Sequence, residues 1–290
     1  MSAEIISGKE VAENILTTDL KSRVEKLRQS NIIPKLVVIL VGEMKASASY
    51  VAQKEKFAGK AGIISEVQRF DDNVSEDEIL NRISEINSDK SIHGVIVQLP
   101  LPKHISVAKV LNNINPDKDV DGFTPFNVGK LFLGEDTLVS CTPKGIMLML
   151  ESKNVNLSGK NVTVIGRSNI VGKPVSILCQ QQNATVTMCH SKTKDLDSKL
   201  ADADVVIVAA GVPKFINGSQ IPEGAVVIDV GIHNIEGKLC GDVDFESASK
   251  RASAITPVPG GVGPMTVCAL IENTIICLLY TSDAADEWRS

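Results

Sequence analysis

Lys54 is a charged residue whose spacing suggests chemistry. At about 100° per residue, a helix through residues 47–61 would place Lys54 near the middle of an apolar arc, with Tyr50 one turn earlier. The apolar residues of this arc are Val51, Phe57, Ala58 and Ala61. Because desolvation disfavours a charged ammonium group, a lysine in such a wall could serve as a general base. A lysine that snorkels to the surface more often accounts for the same pattern.

Two other polar segments could cooperate with this lysine. Gln98 directly follows a predicted buried strand and precedes Leu99-Pro100-Leu101-Pro102, although a glutamine that merely ends a strand would look the same. Residues 117–122 read D-K-D-V-D-G, which is the opening of a calcium-binding loop. The twelfth position is Val128, where that loop requires glutamate. The acids of this segment, Asp121 among them, therefore need another role or none.

Residues 161–174, N-V-T-V-I-G-R-S-N-I-V-G-K-P, have the features of a phosphate-binding turn. A predicted buried strand runs into Gly166, and Gly172 opens a predicted helix. The backbone can therefore turn sharply and bring the N–H groups of a helix N-terminus to a pyrophosphate. The spacing differs from G-x-G-x-x-G, so an ordinary tight turn between a strand and a helix stays open.

The residues after the next predicted strand favour NADP over NAD. NAD-binding domains place an acid at this point, on the ribose 2′-hydroxyl. This chain reads His190-Ser191-Lys192-Thr193-Lys194, with no acid before Asp195. Together with Arg167, these donors suit a 2′-phosphate. Small residues follow two later strands, at Ala210–Pro213 and at Gly231, where doubly wound sheets bind ligands.

A proline- and glycine-rich segment precedes the last predicted helix. Residues 257–266 read P-V-P-G-G-V-G-P-M-T, which predicts a rigid loop rather than a flexible linker. Thr266 could cap the following helix or could face a nicotinamide ring.

Short β-rich runs alternate with amphipathic stretches, which is typical of α/β proteins with parallel sheets. The predicted strands are Lys35–Val41, Ile63–Gln68, His93–Gln98, Val162–Ile165, Thr185–Cys189, Val205–Ala209 and Ala225–Val230. The predicted helices are roughly 8–29, 46–61, 75–88, 104–113, 142–154, 170–182 and 264–279. Ser75 and Glu78 form a predicted capping box. The alternation breaks at Asn112–Leu138, where we expect a domain junction.

Composition limits the class of partner. The 290 residues, 43% hydrophobic and 22% charged, suffice for two ordinary domains. A net charge of −5 and only 3% aromatic residues argue against a nucleic-acid or anionic-membrane partner. We see no secretory leader, no apolar run of about 20 residues and no C-x-x-C pair among the six cysteines. The four histidines lack ligand spacing. We therefore expect a cytoplasmic protein without a metal.

Five motifs carry a resemblance to a known family. They are S-x-x-Y-V-x-x-K at 47–54, V-Q-L-P-L-P at 97–102, D-K-D-V-D-G-F at 117–123, G-R-S-x-I-V-G-x-P at 166–174 and P-V-P-G-G-V-G-P-M-T at 257–266. In this order, across residues 3–277, the chain resembles the bifunctional methylenetetrahydrofolate dehydrogenase/methenyltetrahydrofolate cyclohydrolase family of bacterial type. The resemblance implies NADP-dependent oxidation of 5,10-methylenetetrahydrofolate to 5,10-methenyltetrahydrofolate. It further implies hydrolysis of that product to 10-formyltetrahydrofolate.

The resemblance also implies a two-domain α/β fold and a homodimer. An N-terminal α/β catalytic domain, which binds folate, would occupy residues 1–138 and be rejoined by a C-terminal helix at 264–290. A Rossmann-type NADP-binding domain would occupy residues 139–263, with a cleft between the two domains.

The resemblance implies roles for individual residues. Lys54 would be the general acid/base, Gln98 would hydrogen-bond it, Tyr50 would line the folate site, and Asp121 would bind N–H donors of the pterin. This catalytic set would also contact the substrate. Further implied substrate-binding residues are Leu99, Pro100, Pro259, Gly260 and Gly261. The implied cofactor-binding residues are Thr142, Gly166, Arg167, Ser168, Ile170, Val171, His190, Ser191, Ala210, Gly211, Gly231, Ile232 and Thr266. Of these, Arg167 and Ser191 would take the 2′-phosphate.

Residues 278–290 depart from the family pattern and look like read-through sequence, so we assign them no function. Two further functions stay open for the chain. One is that of another two-domain NADP-dependent dehydrogenase of a small molecule, against which the set of Tyr50, Lys54, Gln98 and Asp121 argues. The other is that of a non-catalytic nucleotide-binding module, which would have no reason to keep a lysine amid an apolar arc.

Overall fold

Parallel strand pairing organises both parts of the chain. The computed structural model describes residues 3–42 and 54–281, which fall into two units. Unit 1 contains residues 3–13 and 142–266, and unit 2 contains residues 14–42, 54–141 and 267–281.

Unit 2 contains a three-stranded parallel sheet in the order β3-β2-β4. Its strands are β2 (Lys35–Val41), β3 (Ile64–Phe70) and β4 (Gly94–Val97). The central strand β2 reads K-L-V-V-I-L-V and is buried from its second residue onward, as expected for a strand covered on both faces. The isoleucines of the helix at Glu76–Ser88 pack into the same core.

Five helices lie wholly within the described part of unit 2. They are α2 (Lys21–Gln29), α3 (54–61), α4 (Glu76–Ser88), α5 (Val107–Asn113) and α6 (Pro125–Leu133). Three helices, α1 (Gly8–Ile15), α7 (Cys141–Ser152) and α11 (Val262–Thr281), have described residues in both units. A π-helical segment, Leu16–Leu20, continues α1 into α2, so the predicted helix at 8–29 is present with a local irregularity. The Ser75 hydroxyl caps α4 by accepting the N–H of Glu78 at 3.2 Å.

The predicted break at Asn112–Leu138 contains helix α6. The Thr124 hydroxyl accepts the N–H of Asn127, Pro125 occupies the first turn, and Gly134 ends the helix at a φ of 75°. A proline at a helix start and a left-handed glycine at its end are ordinary helix boundaries. We predicted no helix between residues 113 and 142, so α6 was missed.

Unit 1 contains a six-stranded sheet in the order β1-β11-β8-β7-β5-β6, and every pairing in it is parallel. The strands are β1 (Glu4–Ile5), β5 (Asn161–Ile165), β6 (Thr185–Cys189), β7 (Val205–Val208), β8 (Val226–Asp229) and β11 (Ala254–Ile255). Strand β5 has β6 on one side and β7 on the other, so the strand order reverses at β5. This reversal is the switch point at which doubly wound sheets bind ligands. The α/β class and the Rossmann-type sheet are confirmed.

Other elements of unit 1 connect these strands. They are α7 (Cys141–Ser152, whose first residue belongs to unit 2), α8 (Gly172–Gln181), α9 (Leu196–Leu200), the hairpin β9 (His233–Ile235) and β10 (Lys238–Cys240), and α10 (Phe245–Ala248). The sequence did not predict α9, α10, the hairpin, β1 or β11. The short strand β1 pairs with β11, so residues 3–13 group with 142–266 rather than with the N-terminal domain expected above.

Helix α11 is long and apolar enough to cross a bilayer, and it is the single such helix in the described part of the chain. Of its most apolar stretch, 67% is buried within the protein. A buried core helix has the same length and composition.

Candidate active site and cofactor site

Lys54 lies in α3 with 8% of its surface exposed. Its Nζ donates a hydrogen bond to Oε1 of Gln98 at 3.0 Å. Two other lysines of the same helix, Lys56 and Lys60, are exposed. The ammonium group of Lys54 therefore does not snorkel to the surface but points to a polar partner in the interior of unit 2. Tyr50, predicted one turn earlier, falls outside the described residues.

Three hydrogen bonds hold Gln98 in place. Its backbone N–H donates to the carbonyl of Ile39 at 2.9 Å, which extends the pairing of β4 with β2 by one residue. Its side-chain Nε2 donates to the carbonyl of Leu99 at 2.9 Å, so Oε1 is left to accept from Lys54. Leu99 is half-buried, and Pro100 follows it through a cis peptide bond and is exposed. The end of a buried strand thus holds the amide that orients the lysine.

Asp121 lies close enough to Lys54 for the two charges to interact. Burial raises the pKa of Asp121 from 3.8 to about 6, the Lys54 ammonium opposes this rise, and the Asp119 carboxylate adds to it. A carboxyl group with a pKa near 6 exchanges its proton close to neutral pH. Lys54, Gln98 and Asp121 therefore form one interacting group of side chains in unit 2.

Asp119 shapes the turn that carries Asp121, and sequence reasoning left it without a role. It is 1% exposed. Its carboxylate accepts the N–H of Phe123 at 3.2 Å, the N–H of Thr124 at 2.8 Å and Nδ2 of Asn127 at 2.9 Å. The acid in the middle of D-K-D-V-D-G thus binds the backbone of its own turn. The spacing of the three acids was visible in the sequence, but not which of them points inward.

Asn273 holds the same segment from helix α11. It is fully buried, and its Nδ2 donates to the carbonyls of Val120 and Val139, each at 2.9 Å. Sequence reasoning missed this residue. The available signal was the one amide side chain in a largely apolar helix, because a buried amide needs hydrogen-bond partners.

The turn after β5 in unit 1 requires its two glycines. A β-carbon at Gly166 would lie 2.3 Å from the carbonyl oxygen of Ala209, and one at Gly172 would lie 2.2 Å from the carbonyl oxygen of Gly166. The Ser168 hydroxyl accepts the N–H groups of Val171 at 3.1 Å and Gly172 at 3.3 Å, which lie at the start of helix α8. Ile170 is 42% exposed beside this turn. The backbone of this turn is packed too closely for side chains at Gly166 and Gly172, as dinucleotide-binding turns require of their glycines.

The segment after β6 forms a tight turn of its own. The His190 N–H donates to the Thr193 hydroxyl at 2.8 Å, and His190 Nδ1 accepts the Lys192 N–H at 3.1 Å. Ser191 is exposed at the tip. The first acid, Asp195, caps helix α9 by accepting the Ser198 N–H. In the described segment that follows β6, the first carboxylate is therefore engaged in a helix cap.

Arg167 completes a donor set for a phosphate. Its side chain is exposed and has no hydrogen-bond or ion-pair partner in the described part of the chain. With Ser191 and the lysines of the β6 turn, it supplies cationic and hydroxyl donors and no acid. The residues present fit a dinucleotide with a 2′-phosphate.

The remaining predicted cofactor residues lie at the ends of neighbouring strands. Ala210 and Gly211 follow β7, and Gly231 and Ile232 follow β8. Gly211 and Ile232 are exposed, the latter by 50%. An exposed isoleucine close to glycine offers an apolar surface next to accessible backbone, which suits an aromatic ring.

The loop at 257–261, which leads into α11, contacts the start of α1 within unit 1. The Lys9 N–H donates to the carbonyl of Gly260 at 2.9 Å, and a β-carbon at Gly8 would lie 2.0 Å from the carbonyl oxygen of Gly261. Pro259 is exposed on this loop. The interpretation of Thr266 as a helix cap was wrong, because α11 begins earlier, at Val262. The Thr266 hydroxyl instead lies 3.0 Å from the hydroxyl of Thr142.

Within residues 3–42 and 54–281, no three histidine, cysteine or acidic side chains converge in a metal-binding arrangement.

Comparison with known proteins identifies the family. Residues 6–121 match the family model described as tetrahydrofolate dehydrogenase/cyclohydrolase, catalytic domain, and residues 140–281 match the NAD(P)-binding domain of the same family. The chain is 54% identical to bifunctional protein FolD of Geotalea daltonii over 274 residues, covering 94% of this chain and 98% of the relative. It is 52% identical to bifunctional protein FolD of Bacillus subtilis over 276 residues, covering 95% and 97%.

Solved structures agree. The FolD methylenetetrahydrofolate dehydrogenase/cyclohydrolase of Campylobacter jejuni has a TM-score of 0.94 at 44% identity and covers 96% of this chain and 99% of its own. The FolD enzyme of Trypanosoma brucei, solved with NADP cofactor and inhibitor, has a TM-score of 0.92 at 36% identity and covers 100% of both chains. The chain belongs to the tetrahydrofolate dehydrogenase/cyclohydrolase family.

Proposed function

We propose that both family reactions depend on the group of Lys54, Gln98 and Asp121 in unit 2, with NADP held at the switch point of unit 1. The protein is a bifunctional enzyme of one-carbon folate metabolism. It oxidises 5,10-methylenetetrahydrofolate with NADP and hydrolyses 5,10-methenyltetrahydrofolate to 10-formyltetrahydrofolate. The observation that carries the residue assignment is the partly buried hydrogen bond from Nζ of the buried Lys54 to Oε1 of Gln98.

Lys54 is the proton carrier of the hydrolysis. In its amine form it accepts a proton from the water that attacks the one-carbon bridge of the methenyl cation. In its ammonium form it returns that proton to N5 as the bond between the bridge carbon and N5 breaks. As that bond breaks, the hydroxyl group of the intermediate releases its proton to solvent and becomes the carbonyl, so the one-carbon unit remains on N10 as a formyl group and one proton is released overall. A single group suffices because the proton taken in the first step is the one needed in the second.

Gln98 and Asp121 hold the lysine and the substrate. The Gln98 carbonyl oxygen accepts from Lys54 in either protonation state and so keeps Nζ in place. The Asp121 carboxylate accepts N–H donors of the pterin, which a carboxylate does more strongly than a neutral acceptor. Leu99 and Pro100 then provide the wall next to the amide. On the same assignment, Tyr50 lines the folate site and Pro259, Gly260 and Gly261 contact the substrate.

Unit 1 binds the cofactor through its strand ends. NADP, when bound, accepts the hydride of the one-carbon unit. Arg167 and Ser191 bind its 2′-phosphate, and the glycines at 166, 211 and 231 allow close approach of the backbone. The other residues that we assign to the cofactor are Thr142, Ser168, Ile170, Val171, His190, Ala210, Ile232 and Thr266. The lack of an acid at the end of β6 supports NADP over NAD.

Replacing Arg167 tests the cofactor assignment. Arg167→Ala should raise the dissociation constant of NADP about 10- to 100-fold, as expected for a lost charged hydrogen bond, and change that of NAD less than about threefold. Calorimetric titration of both nucleotides measures this. Lys160→Ala is the matched control, because Lys160 precedes β5 at the opposite end of the strand and pairs with Asp204. Equal losses for both nucleotides would show that Arg167 has only a structural role.

The function itself is tested by following both folate substrates spectroscopically with the purified protein. We expect oxidation of methylenetetrahydrofolate that requires NADP, and hydrolysis of methenyltetrahydrofolate that does not. A protein that turned over neither substrate would contradict the proposal.

We also propose a cytoplasmic homodimer that needs no metal, binds no nucleic acid and lies outside the membrane. The family resemblance supports the dimer, and the net charge of −5 argues against nucleic-acid and anionic-membrane partners. The histidines lack ligand spacing, which argues against a metal, and six cysteines without a C-x-x-C pair suit a reducing compartment. Light scattering should give twice the 31.0 kDa mass of one chain. A chelator should leave both rates unchanged, and cell fractionation should find the protein in the soluble fraction.

A further inference from the structure

Two buried acids lie behind the strand ends to which we assign the cofactor. Asp229 ends β8 and is 3% exposed, and Asp242 lies in the segment after β10 and is 0% exposed. Neither belongs to the residues assigned to substrate or cofactor. Buried carboxylates are costly unless they are paired or hydrogen-bonded, so their partners indicate what they do.

Asp242 connects two different strand-end segments. Its Oδ2 accepts the N–H of Gly211, after β7, at 2.8 Å. Its Oδ1 lies 2.7 Å from Nε2 of His233, after β8. Because a carboxylate oxygen only accepts, Nε2 carries the proton and donates it. One side chain therefore ties the backbone after β7 to the imidazole after β8.

The Asp229 carboxylate accepts hydrogen bonds from the backbone of the segments after β8 and β10. It accepts the N–H of Gly231 at 3.0 Å, of Asp242 at 2.9 Å and of Val243 at 2.9 Å. Burial raises the pKa of Asp229 to about 6, and the Asp242 charge adds to this rise. Burial disfavours the charged form of this carboxylate, and the three N–H groups that it binds offset part of that cost.

Two glycines allow the backbone to lie close to the two carboxylates. A β-carbon at Gly231 would lie 2.3 Å from Oδ1 of Asp242, and one at Gly241 would lie 1.9 Å from Oδ2 of Asp229. The backbone of the 241–242 segment also accepts the N–H groups of Lys214 and Ile216, each at 3.0 Å. The loop after β7 is therefore held by the same segment as the turn after β8.

We propose that Asp242, through its bonds to Gly211 and His233, is a positioning residue that sets the two strand-end segments in the conformation that binds NADP. This inference rests on the proposed location of the cofactor at the ends of β7 and β8. Asp242 acts through Gly211, Gly231 and Ile232 and does not itself touch the cofactor. Loss of its bonds would let the two segments separate and weaken NADP binding, without affecting the lysine chemistry of unit 2.

Four variants of the full-length protein test this. Asp242→Ala removes both bonds, and His233→Ala removes one. Asp242→Asn and His233→Gln are the conservative partners, because an amide can still accept from Gly211 and Gln can still donate from the position of Nε2. Glu236→Gln is the matched control, since Glu236 is exposed in the turn between β9 and β10. Each is measured for NADP affinity by calorimetry, for hydrolysis of methenyltetrahydrofolate without NADP, and for melting temperature.

We expect Asp242→Ala to weaken NADP binding about tenfold or more and His233→Ala about three- to tenfold, with the conservative variants closer to wild type. Hydrolysis should stay within about twofold of wild type in all of them, because the lysine of unit 2 is untouched. Should Asp242→Ala fail to fold, the His233 pair decides the question. If the folded alanine variants bind NADP as wild type does, the positioning role of Asp242 is wrong, but the proposed function is unaffected. A wild-type protein that binds no NADP would overturn the proposed function as well.

Discussion

At the scale of single residues, the partners of a side chain show what it does. Lys54 could be singled out from the sequence because it breaks an apolar arc, and the structure gives it Gln98 as a partner. Asp119 could not be assigned in this way. Three acids in six residues look alike in a sequence, and only the fold shows that one binds its own turn while another, Asp121, is near the lysine.

Replacing Asp121 should separate stability from activity. The pKa of Asp121 is about 6 in the folded protein against an ordinary value of 3.8. The folded state therefore binds a proton that the unfolded state releases between about pH 4 and 6, and stability decreases as the pH rises through this window. Asp121→Asn carries no charge at any pH. We expect it to be more stable than wild type by about 2 kcal/mol at pH 7.5, and equally stable near pH 4.

Thermal denaturation of both proteins across this pH range measures the effect. Asp117→Asn is the control, because Asp117 is exposed in the same segment. The Asp121→Asn protein should also lose turnover of folate. A constant difference in melting temperature between about pH 4 and 7.5 would contradict this account of the carboxyl group.

The secondary-structure elements show where sequence patterns suffice to predict the ends of a strand or helix. Strands β2 and β6 have the predicted ends. The apolar run of β2 lies between Pro34 and Gly42, two residues that interrupt strands, so its ends are marked in the sequence. Helix α6 was missed because its boundaries are a proline and a glycine, which we interpreted as breaks. Strands β1 and β11 have two residues each, too few to give any periodic signal.

The contact of helix α1 with the proline- and glycine-rich loop gives a prediction about an element. A β-carbon at Gly8 would overlap the carbonyl of Gly261, so Gly8→Ala must displace the loop. We expect a loss of roughly 1–3 kcal/mol and a melting temperature lower by several degrees, as for other overpacked sites. The Michaelis constant for folate should rise, because Gly260 and Gly261 belong to the proposed substrate contacts.

Gly59→Ala is the matched control, because Gly59 is exposed in α3 and a β-carbon there meets no atom within 4 Å. It should be neutral or slightly stabilising in a helix. Calorimetric melting and steady-state kinetics compare the two. An unchanged melting temperature of Gly8→Ala would show that the loop is not held against α1.

At the scale of the whole molecule, the alternation of strands and helices predicted the α/β class, and the five ordered motifs predicted the family. The resemblance placed the first residues in the N-terminal domain, whereas residues 3–13 group with residues 142–266. The pairing of Glu4 with Ala254 brings together residues at opposite ends of the chain, and no local pattern encodes such a contact. The buried acids behind the strand ends, Asp229 and Asp242, likewise become visible only once strands β7 and β8 lie side by side.

The central claim is that Lys54 transfers the proton in the hydrolysis. The most direct measurement is the rate of methenyltetrahydrofolate hydrolysis by Lys54→Met, with NADP affinity measured on the same preparation and Lys56→Met as the exposed control from the same helix. Methionine keeps most of the length and the apolar stem of lysine but cannot carry a proton. We predict that Lys54→Met loses the hydrolysis while it binds NADP as wild type does, and that Lys56→Met retains both. Hydrolysis at the wild-type rate by Lys54→Met would contradict the account.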